Sequence, residues 1–353
     1  MKVAYDWGPL LDPPTGVARY TDELASELEL AGTDLVRYAV AFGGARDPAV
    51  RRWRVPARLM RRGWMRFGWP PIERLVGEVD LIHATNFVLP PAKKTAGVVT
   101  VHDLSFFRDD VFPGGHRLRE LVPWSVDRAA GVLVPTAAVA EEVVERLGVS
   151  GDKVTVTSEG VSPVFFGASP LSELALERLR IPGPFVLAVG TLEPRKNLAR
   201  LVAAWGEASR RLEGWTLVIA GPKGWGEELP PTPGVLLPGW IDEASLPGLM
   251  AAASVFCYPS LYEGFGLPPL EAMAAGTPVV AARYRTAGEV LGDAAELVDA
   301  EDVEALADAL VRVATEPALR SALAMSGRAR AAGFTWTRAA KASMDAYRNV
   351  IDG

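Results

Sequence analysis

The 353-residue chain has one cysteine, Cys257, so an intrachain disulfide is excluded, and a reducing compartment is the expected setting. No run reaches the ~18 consecutive apolar residues that a membrane-spanning helix needs. The first residues, MKVAYDWGPL, have neither a long apolar centre nor a cleavage site, so no signal peptide is expected. The formal net charge of -6 argues against a general nucleic-acid binder. Three scattered histidines and one cysteine give no zinc-ligand spacing. There is no G-x-x-x-x-G-K-[ST] phosphate loop and no G-x-S-x-G nucleophile elbow. EGFGLPPLE has a G-x-G but no third glycine, which leaves the dinucleotide fingerprint incomplete.

What is present is a long alternation of short apolar runs and amphipathic segments. The strand candidates in the first half are 2–6, 35–40, 81–85, 98–103, 131–136 and 154–160. Those in the second half are 185–190, 216–222, 235–240, 255–260, 278–283 and 295–299. Segments 17–31, 137–147, 197–212 and 303–314 carry helical periodicity. Continuous apolar strands separated by helices indicate parallel sheets covered on both faces. Two groups of strands with a Gly-, Pro- and Ser-rich break at 160–184 predict an α/β protein of two doubly wound domains. The expected division is 1–168 and 169–335, with a last helix at about 336–353 packing back onto the first domain.

In open parallel sheets, ligands bind beyond the carboxyl ends of the strands, where helix N-termini present free N–H groups. Gly16 lies in the loop WGPLLDPPTGVARY after the first strand. His102 and Asp103 follow VVTV, and Glu193, Arg195 and Lys196 follow FVLAVG. A helix N-terminus disfavours cations, so Arg195 and Lys196 there suit a phosphate or diphosphate; the alternative is a solvated pair bridged to Glu193. In SLYEGFGLPPLEAMAAGTPVV, Pro268 and Pro269 suit a first helical turn, which puts Glu271 near the crevice. The backbone N–H groups of Phe265, Gly266 and Leu267 can meet an anion, while Glu263 and Glu271 can each accept from paired hydroxyls. A diphosphate between two polyols, as in a nucleotide sugar, fits that arrangement. The alternatives are a dipole-complementing Glu271, a turn residue at Glu263, a structural His102 and an Asp103 that caps the next segment. His83 and His116 are assigned no chemistry, and Cys257 reads as a buried, inert thiol.

Under the acidic total lies a basic stretch. RRWRVPARLMRRGWMRFGW, 51–69, has seven arginines, no acid and several aromatics. It suits an anionic membrane surface, a soluble anionic or sugar substrate, or simply a solvated face.

GTLEPRKN, YPSLYEGFGLPPLEAMAAGTPVV and GDAAELVDAEDVEAL together resemble the retaining glycosyltransferase family 4, which has the GT-B fold of two Rossmann-like domains with parallel sheets facing a central cleft. Glu263 and Glu271 match that family's E-x7-E motif. VVTVHDLSFF resembles its acceptor-side His-Asp element, and TGVARYT its N-terminal glycine loop. The resemblance spans essentially the whole chain and implies a hexosyltransferase. It implies that Arg195 and Lys196 hold the donor diphosphate, Glu271 the ribose, and Glu263 with Phe265, Gly266 and Leu267 the donor sugar and phosphate. His102 is implied beside the reacting sugar, Gly16 by the phosphates, Ile241 near the nucleobase and Asp103 on the acceptor side. RTAGEV, 285–290, departs from the family's Ser-Ser-Leu-Pro-Glu-Val and is left out of the site. HDLSFFRDDVFP with GTLEPRKNL most resembles bacterial mannosyltransferases using GDP-mannose, acting on a glycan or lipid-linked glycan at the cytoplasmic side of the membrane. No cofactor or metal is expected. The alternatives are a UDP- or other nucleotide-sugar donor, a sugar phosphorylase, or a non-catalytic nucleotide-sugar-binding protein.

Overall fold

A computed structural model describes residues 1–11, 15–43, 47–108, 115–226 and 228–353. Parts of the WGPLLDPPTGVARY loop and of HDLSFFRDDVFP therefore lie outside the described residues. The chain forms two compact units, one of Met1–Gly160 with Thr335–Gly353 and the other of Val161–Phe334.

In the first unit the elements run β1 (Lys2–Asp6), α1 (Gly16–Leu30), β2 (Asp34–Val40), β3 (Arg51–Trp53), α2 (Ala57–Phe67), α3 (Glu73–Val76), β4 (Leu81–Ala84), β5 (Gly97–Thr100), α4 (Gly115–Arg128), β6 (Gly131–Val134), α5 (Ala137–Leu147) and β7 (Val154–Val156). The strands form one sheet of order β3-β2-β1-β4-β5-β6-β7, parallel throughout. Strands β4, β5 and β6 are buried along their whole length, which is why they read as continuous apolar runs. Neighbours of β1 lie on both sides, so the β1/β4 junction is where the winding reverses.

In the second unit α6 (Pro163–Phe166) and α7 (Glu173–Arg178) precede β8 (Phe185–Val189), α8 (Leu198–Ala208), β9 (Thr216–Ala220), β10 (Val235–Gly239), α9 (Leu246–Ala252) and β11 (Val255–Tyr258). Then come α10 (Leu267–Ala274), β12 (Val279–Ala282), α11 (Ala287–Val290), β13 (Glu296–Val298), α12 (Val303–Thr315) and α13 (Pro317–Ala331). The sheet order is β10-β9-β8-β11-β12-β13, again parallel, with its reversal at β8/β11. Its core closes α8 and α12 over β8, β9 and β11, with Trp205, Leu201, Leu310 and Val255 fully buried. Each such side chain contributes about 1.5–3 kcal/mol of transfer free energy.

The last helix, α14 (Trp336–Asp352), belongs to the first unit and packs against α1. Thr335 caps it by accepting from the Arg338 N–H, and Trp336, Ala339, Ala340, Ser343, Ala346 and Tyr347 form its buried face. Small residues on that face let α1 approach with Ala18, Leu24, Ala25 and Leu28, which recur at helical spacing.

The first unit ends at Gly160, earlier than the expected 168. A Cβ at Gly160 would lie 2.3 Å from the Trp336 nitrogen, so only glycine fits where α14 begins. Val161 already donates to the Phe334 carbonyl at 3.0 Å inside the second unit. The sequence also showed no strand at 51–53. β3 is an edge strand of three residues that pairs Tyr38, Ala39 and Val40 of β2 with Arg51, Arg52 and Trp53. Arg52 fastens it by donating to the Ala41 carbonyl at 2.9 Å. His116, to which the sequence assigns no chemistry, lies in the first turn of α4.

Candidate functional site

The second unit gathers its polar residues at the β8/β11 reversal. After β8 the chain makes a 3-10 turn, Pro194–Lys196, and Asn197 leaves it at φ 56°. Arg195 and Lys196 thus sit in a separate turn just before α8, where the sequence placed them at the start of a helix. The Asn197 amide donates to the carbonyls of Pro259 and Ala300 at 3.0 and 2.8 Å, which fixes the turn against the segments that follow β11 and β13. A Cβ at Gly221 would lie 2.0 Å from the Gly190 carbonyl oxygen, so the ends of β8 and β9 meet this closely only because residue 221 is glycine.

This turn brings two cations onto two carboxylates. Arg195 donates through Nη1 to Glu263 Oε2 at 2.7 Å and to the Tyr262 carbonyl at 3.0 Å, and through Nη2 to Glu193 Oε1 at 2.6 Å. Lys196 Nζ donates to Glu263 Oε1 and to the Tyr258 hydroxyl, both at 2.8 Å. One carboxylate therefore spans both cations. Burial works to raise the Glu263 pKa, but Arg195 and Lys196 together overcome it and bring it from 4.5 to about 2. Burial lowers the Lys196 pKa, and Glu263 opposes that shift. The Arg195 side chain is 21 % exposed, so an incoming anion can reach the guanidinium without unfolding the turn.

Glu263 is held from behind as well. Thr286 Oγ1, buried in RTAGEV, donates to the Glu263 carbonyl at 3.1 Å. The segment left out of the site on sequence grounds thus positions it. Its departure from the family pattern had masked that role, because a hydroxyl-to-backbone bond requires only the threonine.

The following turn leads through Phe265 and Gly266 into α10. Gly266 has φ 99° and caps the helix. Leu267 begins it, and Pro268 and Pro269 remove two of the N–H groups that a helix start would otherwise leave open. The donors near this end are therefore concentrated at Phe265, Gly266 and Leu267. Phe265 and Leu267 have buried side chains. Glu271 is 2 % exposed, deeper than a first-turn position at the crevice, because α10 is packed on nearly all sides. Ile241, buried, follows β10, which β9 separates from β8.

The remaining expected residues lie in the first unit. Gly16 begins α1 next to its cap Thr15; among the described residues, a Cβ there would meet no non-neighbouring atom within 4 Å. His102 follows β5 and is 8 % exposed. Its Nε2 lies 2.8 Å from the Thr85 carbonyl and its Nδ1 3.5 Å from Glu159 Oε1, while the Tyr20 ring meets it edge-on with centroids 4.7 Å apart. Both nitrogens face protein acceptors. Glu159 was not found in the sequence, since 57 residues separate it from His102 and only the sheet brings β7 near β5's end. Asp103 Oδ1 accepts from the Ser105 N–H and hydroxyl at 2.9 and 2.7 Å, an Asx turn just ahead of the 3-10 turn Ser105–Phe107, whose cap is Leu104. His83 is fully buried between Thr100 and Tyr347, and burial pushes its pKa down to about 3, so it stays neutral. Burial raises the Cys257 thiol, which keeps it unreactive. Among the described residues, no group of three or more acidic, histidine or cysteine side chains is placed to hold a metal, and no helix is long and apolar enough to cross a membrane.

Comparison with known proteins supplies independent findings. The family described as "Glycosyl transferases group 1" matches residues 177–330, and "Glycosyltransferase Family 4" matches residues 14–165. The chain is 28 % identical to O-antigen chain mannosyltransferase B of Escherichia coli, over 99 % of this chain and 100 % of that protein. It is 32 % identical to D-inositol 3-phosphate glycosyltransferase of Kribbella flavida, over 79 % of this chain and 70 % of that one. Among solved structures, sucrose-phosphate synthase from Thermosynechococcus elongatus superposes with a TM-score of 0.78 at 22 % identity, covering 99 % of each chain, a likeness of fold alone.

Proposed function

The chain belongs to glycosyltransferase family 4, with the GT-B fold, and on that premise we propose that it transfers mannose from GDP-mannose to a hydroxyl of a glycan or lipid-linked glycan, with retention of anomeric configuration. The observation that carries the reading is the Arg195–Lys196–Glu263 constellation at the β8/β11 reversal, where open α/β sheets take their ligands. The mannose assignment rests on the O-antigen mannosyltransferase relative and on the GTLEPRKN and HDLSFF stretches.

The chemistry follows from charge. As the bond between the anomeric carbon and the diphosphate breaks, its electron pair moves onto the leaving oxygen. Arg195, Lys196 and the N–H groups of Phe265 to Leu267 stabilise that charge more in the transition state than in the ground state. Because Glu263 already orients both cations, little reorganisation is needed when phosphate arrives; Glu263 also accepts hydroxyls of the donor sugar. Glu271 takes the ribose and Ile241 flanks the base. The acceptor oxygen attacks the same face, and its proton passes to the departing phosphate oxygen. His102, engaged at both nitrogens, positions the sugar and is assigned no base role. Gly16 leaves room for phosphate, and Asp103 shapes the acceptor side through its turn.

Helix α2 supports peripheral membrane contact. Arg58, Leu59, Arg62, Met65 and Arg66 are all exposed on it, and Phe67 and Trp69 follow at 73 % and 56 % exposure. A basic face studded with large apolar groups suits anionic lipid, at the cytoplasmic leaflet where lipid-linked acceptors would be met.

Nucleoside diphosphate release from GDP-mannose, GDP-glucose, UDP-glucose and UDP-N-acetylglucosamine, with and without acceptor, tests the function. Acceptor-dependent release of GDP from GDP-mannose is expected. Turnover only with a UDP-sugar would move the donor assignment. Disaccharide cleavage that requires inorganic phosphate would make the chain a phosphorylase, and binding without turnover a sensor.

A further inference from the structure

Tyr258, the last residue of β11, reads in the sequence as part of an apolar run, and nothing in VFCYPS requires its hydroxyl. Its ring is buried, with Phe256 stacked at a centroid distance of 6.3 Å and Tyr284 edge-on at 6.0 Å. A phenylalanine would fill that space equally well. The hydroxyl adds a demand of its own, since a buried phenol loses its water and must find partners.

Its partners are the two ends of one ion pair. Lys196 Nζ donates to Tyr258 Oη at 2.8 Å, the phenol in turn donates to Glu263, and Lys196 also donates to Glu263 at 2.8 Å. The three groups close a cycle of hydrogen bonds. Burial, and after it the Glu263 charge, push the Tyr258 pKa up, so the phenol keeps the proton that it gives to Glu263. The same ring abuts the neighbouring turn, where a Cβ at Gly266 would lie 3.7 Å from Tyr258 Cε1. One side chain thus lies against both the cation and the turn that carries the N–H groups of Phe265 to Leu267.

An ammonium has three N–H donors. Among the described residues, Glu263 and Tyr258 take two of those of Lys196, and no third protein acceptor is present. The lysine stem is packed as well, lying along Gly190, where an added Cβ would come within 3.4 Å of Cε. Held by Glu263 alone, the ammonium would turn about that one contact; a second fixed partner removes the freedom. We propose that Tyr258 is a positioning residue of the transferase, whose hydroxyl locks the Lys196 ammonium so that one N–H is left for the leaving diphosphate. The locking is a property of the free protein; the use of that N–H rests on the transferase reading. Preorganisation of this kind counts most where charge develops in the transition state, so its loss should fall on kcat more than on donor KM.

Tyr258→Phe and Tyr284→Phe, compared in the full chain, test this. Each removes one buried hydroxyl from the same aromatic cluster, and that of Tyr284 has no hydrogen-bond partner among the described residues. With 15N-labelled lysine, the Lys196 ammonium is identified by its absence from Lys196→Arg. It should give a sharp, slowly exchanging Nζ signal in the wild type and in Tyr284→Phe, and inorganic pyrophosphate should shift it. In Tyr258→Phe, which keeps the ring and so the packing of β11, that signal should broaden or vanish. The other lysine signals should stay as in the wild type. With GDP-mannose as donor, kcat of Tyr258→Phe should fall about tenfold or more and donor KM should change less than about threefold, while Tyr284→Phe matches the wild type. An unchanged Lys196 signal or an unchanged kcat in Tyr258→Phe overturns the proposal. So does an equal loss in Tyr284→Phe, which would mean packing, a loss confined to KM, which would mean plain binding, or a wild-type signal that pyrophosphate leaves unmoved. A wild type that shows the expected Lys196 signal and pyrophosphate shift but does not turn over GDP-mannose overturns the donor assignment and leaves the locking by Tyr258 standing.

Discussion

Glu263 lies between Arg195 and Lys196, accepting from one through Oε2 at 2.7 Å and from the other through Oε1 at 2.8 Å. The free protein thus keeps these two cations aligned by a single carboxylate. Removing that carboxylate does two things at once: it frees the cations to move, and it leaves Lys196 buried without its main counter-charge.

The pH dependence of stability should report this pairing. The Glu263 pKa is depressed from 4.5 to about 2, so its contribution is fully present above 4.5 and is lost as pH falls toward 2. Glu263→Gln should lower the stability of the second unit by about 3 kcal/mol at pH 7, with the deficit shrinking below pH 4. Chemical denaturation of both proteins between pH 7 and pH 3 measures it; a deficit that is flat across that range would contradict the ion-pair account.

Asp6 should show the opposite sign. Its folded pKa is raised from 3.8 to about 6, so the native state binds the extra proton between those values and loses stability as pH rises through them. Asp6 Oδ1 accepts from the Gly8 N–H at 2.9 Å, and Asp6→Asn keeps that acceptor while removing the partly buried charge. Its melting temperature should exceed the wild type's at pH 8, by the equivalent of about 2–3 kcal/mol, and converge with it at pH 4. Equal melting temperatures at pH 8 would show that the Asp6 carboxylate is not destabilised by burial.

Glu271 is 2 % exposed inside α10, yet the reading gives it the nucleotide ribose. Glu271→Gln preserves volume and one acceptor. It should weaken GDP binding about ten- to a hundredfold, the loss expected for charge-assisted hydrogen bonds, with little change in melting temperature. Calorimetry with GDP decides; unchanged affinity would mean that Glu271 serves the packing of α10 alone.

The exposed face of α2 should carry membrane contact. Wild-type protein should co-sediment with vesicles of anionic phospholipid and less with zwitterionic ones. Arg58→Glu with Arg62→Glu should abolish the difference at low salt, since each basic side chain near such a surface contributes about 1 kcal/mol. Equal recovery of wild type with both vesicle types would end the membrane assignment.

The fold was largely legible because its central strands are buried on both faces and read as unbroken apolar runs, as in LIHA, GVVT and VFCY. β3 was not, because an edge strand rich in arginine has no apolar signature and exists through its pairing with β2. Of the site, Arg195, Lys196 and Glu263 were visible as motif residues, but their mutual hydrogen bonds were not, since only the β8/β11 pairing joins segments that far apart in sequence. Thr286 and Glu159 were invisible for the same reason: each is one ordinary residue whose meaning comes from long-range neighbours. Asp103 shows the converse, a residue with a motif role in sequence whose local geometry is an Asx turn onto Ser105.

The central claim is that a nucleotide sugar's diphosphate is held at the second unit's β8/β11 reversal. A crystal structure with an unreactive GDP-mannose analogue tests it most directly. Diphosphate oxygens within about 3.2 Å of the Arg195 guanidinium and the Lys196 ammonium are expected, with the sugar against Glu263. A diphosphate bound elsewhere, with Glu263 still bridging both cations as in the free protein, would contradict it.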